Sequence, residues 1–117
     1  MPKTDFDFWN PANGYKPLLG RGNQNVFEDS VAPVHEAGLT LLWEDCYTID
    51  ENLRLDFAPG HTPGSSVLTL NSGSDRAVFV GDMLHSPVQI KEPDSNSCFC
   101  EDPAGARATR FRPLAPR

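Results

Sequence analysis

The sequence predicts a small mixed chain of the α/β (α+β) class, on three observations. Period-two alternation marks a strand in its middle, apolar residues at helical spacing occur before it, and frequent Pro and Gly keep every element short. The chain has 117 residues, 38% of them hydrophobic, with eleven Pro and nine Gly, and a mean hydropathy of -0.42. That length suits one domain rather than two. No internal repeat or low-complexity block divides it.

Taken in order, residues 1–24 mix Phe6, Phe8, Trp9 and Tyr15 with Asn, Gly and Pro and show no periodicity, so they read as an irregular N-terminal segment. Its aromatics are expected to cover an edge of the core. Over residues 25–37, Val26, Val31, Val34 and Ala37 recur at helical spacing, with Asn25 as cap, Gly38 as stop and Pro33 making the helix bent or two-part. The apolar run 39–43, then Cys46, Tyr47 and Ile49, predicts short strands around the turn Glu44-Asp45. Leu53, Leu55 and Phe57 alternate with Arg54, Asp56 and Ala58, predicting a strand with one buried face that ends at Pro59-Gly60. Residues 66–70 and 77–80, joined by turn formers over 71–76, predict a hairpin. The stretch 83–90 reads as a further strand or an ordered loop, 93–100 as turns, and 102–112 as a helix opened by Asp102-Pro103 and closed by Pro113.

Composition removes several function classes. A net charge of -6 and a pI near 4.8 argue against a nucleic-acid partner, which needs clustered Lys and Arg. Arg107, Arg110, Arg112 and Arg117 gather near the end, where they read as a solvated helix face. No stretch has the roughly 18 apolar residues of a membrane span, and no signal sequence is visible, so no membrane partner and a cytoplasmic location are expected. Cys46, Cys98 and Cys100 are too few, and odd in number, for a disulfide framework, and reduced thiols are expected.

The chemistry concentrates in Ala58-Pro59-Gly60-His61-Thr62-Pro63-Gly64-Ser65 and, downstream, Val78-Phe79-Val80-Gly81-Asp82. Each half sets a metal-ligand side chain just beyond a strand. Gly60 and Gly64 let the backbone bend to aim the His61 imidazole, and Gly81 lets the Asp82 carboxylate project from the sheet. Imidazole nitrogen and carboxylate oxygen are the pair expected around zinc or a similar divalent ion. Thr62 and Ser65 are not nucleophiles on this reading, because no Gly-x-Ser-x-Gly elbow surrounds them; they are expected to hydrogen-bond the turn around His61. His35 reads as a surface residue. Cys98-Phe99-Cys100 is too tightly spaced for a zinc knuckle and reads as an incidental pair of thiols.

The strings APGHTPGSSVLTL and AVFVGDMLH resemble the metallo-β-lactamase superfamily. His85, Pro87, Val88 and Gln89, then Phe99, Asp102, Ala106, Thr109 and Arg110, extend the likeness to its methyl parathion hydrolase-like and lactonase-like subgroup, over residues 25–112. The resemblance implies an αββα sandwich of two mixed sheets, of which this chain supplies mainly the second half, as a single incomplete domain over 1–117 with a tail at 113–117. It implies zinc or another divalent metal, two ions in the family, held by His61 and by a bridging Asp82. His85 and Thr62 are the residues expected to orient those ligands from behind, with His85 a third ligand should the loop after Asp82 fold back.

The family's His-x-His-x-Asp-His motif is absent, since the histidines are 35, 61 and 85. Two ligands are fewer than a zinc site needs. The expected function is therefore that of a metal-dependent hydrolase of ester, lactone or phosphotriester bonds in truncated form, inactive alone, with a small-molecule substrate once completed. The alternative is a non-catalytic binding or subunit module that retains the fold. Unpaired strands and an uncovered apolar face would favour self-association.

Overall fold

The computed structural model describes residues 1–15 and 25–112. Within the chain it resolves two compact units, Met1–Glu44 and Asp45–Arg117. No helix among the described residues is long and apolar enough to cross a membrane.

In the first unit, helix α1 spans Lys3–Trp9 and is followed by a 3-10 turn over Pro11–Asn13. The irregular reading of 1–24 thus fails for its first part, while residues 16–24 lie outside those described. Seven residues are too few for a helical period to register. The local signals are Pro2 ahead of the helix, Asp5 in its first turn and an ion pair between Lys3 and Asp7 one turn apart. Asn10, extended before Pro11, ends it. The aromatic rings pack on one another: Trp9 and Tyr15 at 4.7 Å, Phe8 and Tyr15 at 4.9 Å, and Phe6 on Phe27 at 5.2 Å and on the exposed His35 at 4.6 Å.

Pro33 divides the next helix as its chemistry requires. With no N–H to give to Asp29, the ladder slips to a π-helical turn over Phe27–Val31, where the Ala32 N–H reaches Phe27 O, before helix α2 resumes over Ala32–Glu36. The run 39–43 is not a strand. Trp43 makes a single parallel bridge with Pro2, carried by Lys3 N to Trp43 O at 2.8 Å and Trp43 N to Met1 O at 3.3 Å, and the pairing goes no further because helix α1 begins at Lys3.

The second unit is built on one antiparallel sheet, with β1 Cys46–Thr48, β2 Leu53–Phe57, β3 Ser66–Ser72 and β4 Asp75–Phe79 in the order β1-β2-β3-β4. Asp50 Oδ1 accepts from the Asn52 and Leu53 amides, both at 2.8 Å, and so fixes the β1–β2 turn. The β3–β4 hairpin is tighter than its turn-rich sequence suggests: Ser72 pairs with Asp75, leaving Gly73 and Ser74 as the whole turn. Every β2 residue is half-buried, so the alternation there does not separate a buried face from an exposed one. The core lies instead on the face of Val67, where Ala58, Val67 and Met83 are buried and Val78, Val80 and Leu84 pack against them.

After β4 the expected strand or loop over 83–90 becomes a 3-10 turn, Gly81–Met83, and a short helix α3, Val88–Lys91. Gln89 explains why. Buried at 5% exposure, it accepts from the His85 amide at 2.7 Å and the Ser86 amide at 3.3 Å and donates to Ser95 O at 2.8 Å, occupying backbone groups that a strand would need. Helix α4, Pro103–Arg110, starts as predicted, with Asp102 capping the Gly105 amide; Pro113 and the tail 113–117 lie outside the described residues. Met83→Ala empties the centre of a small core, and we expect a loss of at least about 2 kcal/mol, read as a lower thermal midpoint by circular dichroism.

Candidate metal centre

Two hydrogen-bonded layers hold His61. Within its own loop, Ala58 N donates to Ser65 O at 2.7 Å and Gly60 N to Thr62 O at 3.0 Å. Ser65 Oγ meets both the Thr62 amide and the Thr62 hydroxyl at 2.9 Å, so Thr62 and Ser65 lock the turn. The second layer is α4 and the residues ahead of it. Glu101 N donates to His61 O at 2.9 Å and Asp102 N to Gly60 O at 3.0 Å, while Thr109 Oγ1 donates to Pro59 O at 2.6 Å.

Gly60 makes that docking feasible. Its φ is 139°, and a Cβ there would lie 2.1 Å from Ala106 N and 2.2 Å from Ala106 Cα, closer than any side chain tolerates. Gly81, with φ 52°, performs the other task read from sequence and turns the chain so that Asp82 leaves the end of β4.

His61, Asp82 and His85 converge. His61 Nε2 lies 3.7 Å from Asp82 Oδ2, His85 Nε2 lies 4.0 Å from Asp82 Oδ1, and the imidazole centroids are 4.8 Å apart. The side chains of His61 and His85 are 19% and 25% exposed, that of Asp82 68%. His85, expected behind the ligands, therefore stands at the same range as they do. The Thr62 hydroxyl faces Ser65.

Sequence reasoning missed Cys100. Buried at 4% exposure, its Sγ sits 4.0 Å from His61 Nδ1, and ligand atoms of His61, His85 and Cys100 all lie within 4.8 Å of one another. The Cys-Phe-Cys spacing points to no partner, and only the fold brings this thiol to a histidine far back in the chain. Cys98 is exposed, and the described residues contain no disulfide. Burial pushes the Cys100 thiol above its usual value, against the pull of a Ser97 backbone hydrogen bond and the Arg110 charge. His85 is shifted down by burial first and by His61 second, with Asp82 opposing.

The donors suit a metal ion. Zinc bonds of about 2.0–2.3 Å to nitrogen and sulfur set neighbouring tetrahedral ligands roughly 3.3–3.8 Å apart. The observed separations of 3.7 and 4.0 Å need only small side-chain adjustments to meet that requirement. The carboxylate and the thiol lie on opposite edges of the His61 ring, Asp82 toward Nε2 and Cys100 toward Nδ1, so the donors do not all face one ion.

The sequence matches the metallo-beta-lactamase superfamily over residues 5–115, so the match takes in α1 as well as the region 25–112. Among similar solved structures, the hydrolase AbOPH in the beta lactamase superfamily superposes with a TM-score of 0.76 at 22% identity, over 94% of this chain and 40% of its own. AidC, a dizinc quorum-quenching lactonase in complex with a product, gives 0.68 at 23% identity, again over 94% and 40%. A probable metal-dependent hydrolase from Staphylococcus aureus gives 0.61 at 19%, over 67% and 28%. At such identities the likeness is one of fold, and the chain spans 40% or less of each of these structures. No curated protein matches it.

Two outcomes are expected. Gly60→Ala forces α4 off the His61 loop and costs about 3 kcal/mol or more, measurable by thermal or urea unfolding. His85 titrates below the ordinary 6.5 in an NMR pH series. As pH falls through 6.5 the unfolded chain takes up this proton before the folded chain does, so stability is lost on acidification across that window.

Proposed function

The chain belongs to the metallo-beta-lactamase superfamily, and from that premise we propose that it is part of a metal-dependent hydrolase of the methyl parathion hydrolase-like and lactonase-like kind, acting on an ester, lactone or phosphotriester bond. The observation that carries this reading is the convergence of His61 and Asp82, 3.7 Å apart, beyond the ends of β2 and β4. When bound, a divalent ion polarises a carbonyl or phosphoryl oxygen and acidifies water.

The chain's own residues divide the remaining work. His61 and Asp82 hold the ion. His85, a quarter exposed and 4.0 Å from the Asp82 carboxylate, orients it. Asp82, largely open to solvent, supplies the acceptor at which a water proton can be held. Buried Cys100 and Thr62 close the floor against water.

We further propose that residues 1–117 form one incomplete domain. The His-x-His-x-Asp-His pattern is not among its residues, so this stretch alone does not turn substrate over. Elemental analysis and hydrolysis assays with an aryl ester, an acyl lactone and an aryl phosphotriester test the reading. Wild type is expected to bind an added divalent ion weakly, the His61→Ala/Asp82→Ala variant to bind less of it, and both to hydrolyse at the blank rate. Metal-dependent turnover abolished by the double variant would keep the hydrolase assignment and remove the statement that the chain is inactive alone. Metal content unaffected by the double variant would sink the assignment and favour a binding module.

A further inference from the structure

We propose that this chain carries a single thiolate-containing metal site, formed by His61 through Nδ1, His85 and Cys100, for a thiophilic divalent ion such as zinc. It shares His61 with the hydrolase reading but does not rest on it, since neither Cys100 nor His85 has a ligand role there.

The two edges of the His61 ring face different chemistry. Nε2 looks toward Asp82 Oδ2 at 3.7 Å, whereas Nδ1 looks toward Cys100 Sγ at 4.0 Å. A metal-bound histidine commonly gives its remaining ring N–H to a carboxylate, which fixes the tautomer and strengthens the ligand. With the ion on Nδ1, Asp82 is that carboxylate, and its exposure is no handicap because it need not enter the buried side. His85 completes the triad within 4.8 Å.

The surroundings favour sulfur over oxygen chemistry. Cys100 is 4% exposed, in a segment tied to the His61 loop by the Glu101-to-His61 and Asp102-to-Gly60 backbone bonds, so its position is set by the same docking that sets His61. Arg110 gives Nε to Pro93 O at 3.0 Å and another nitrogen to Asn96, while its Nη1 is buried with no hydrogen-bond partner. The guanidinium acts electrostatically on Cys100. A thiolate gives that cationic group a buried counter-charge, and a thiol does not. On binding, the Cys100 S–H bond breaks, its proton goes to solvent, and the sulfur pair forms the metal bond. Hard ions that prefer oxygen ligands, such as magnesium, are excluded.

The test uses the full chain. In a Cys46→Ser/Cys98→Ser background Cys100 is the one remaining thiol, so cobalt(II) added to metal-free protein is expected to give a thiolate-to-metal charge-transfer absorption at one ion per chain. Cys100→Ser abolishes that band and weakens zinc binding, followed by competition with a chelating dye, at least about tenfold, because losing a ligand costs no less than losing a residue behind one. Magnesium competes with neither ion. No band in the single-thiol background, or equal zinc affinity in Cys100→Ser, overturns the proposal; the first criterion holds even if Cys100→Ser fails to fold. In Asp82→Ala the band persists, whereas the hydrolase reading requires Asp82, so the two readings fail separately.

Discussion

The approach of α4 to Gly60 leaves no room for a Cβ between them, and the geometry of the candidate metal centre depends on it. A bare backbone at residue 60 lets the Asp102 amide reach Gly60 O and the Glu101 amide reach His61 O. Those bonds in turn deliver Cys100 to the imidazole. The sheet alone would present His61 on an untethered loop; the helix converts that loop into a fixed support. Thr109, buried at 4% exposure and bonded to Pro59 O, closes the same contact from the next turn of the helix.

Much of the order around the site is polar rather than apolar. The buried hydrophobic residues are small or few, with Ala58, Val67 and Met83 at the centre of the second unit, while Thr62, Thr69, Gln89 and Thr109 are the buried polar ones. Gln89 organises the loop that carries His85 through three hydrogen bonds. Buried groups of this kind contribute geometry through directionality, and each is costly to leave without a partner. Ligand placement here therefore depends on hydrogen-bond geometry as much as on the amount of apolar area buried.

Signals confined to a few adjacent residues were legible in the sequence. Alternation located β2, turn formers between two strand candidates located the β3–β4 hairpin, Asp102-Pro103 marked the start of α4, Pro33 announced a break that emerges as a π-helical turn, and the glycines around His61 and before Asp82 pointed to two side chains that converge. What was missed depends on tertiary partners or on elements too short to show a period. Helix α1 has seven residues, α3 owes its shape to a glutamine reaching along the chain, and the run 39–43 meets only the two residues ahead of α1 before its partner turns helical. Cys100 is the clearest case: two residues from Cys98 in sequence, it takes its chemical meaning from a histidine met only when α4 docks.

The strand order of the second unit bears on when the site comes into being. Every sheet pairing joins strands adjacent in sequence, the low-separation contacts that form fastest in a folding chain. The contact between α4 and Gly60 closes a much longer loop and is expected to follow. The sheet is thus assembled while the histidines still lack their thiol, and an ion encountered at that stage meets imidazole and carboxylate alone. In the thiolate site proposed above, sulfur would join last, so the choice of metal would fall late in folding, after the scaffold is already standing.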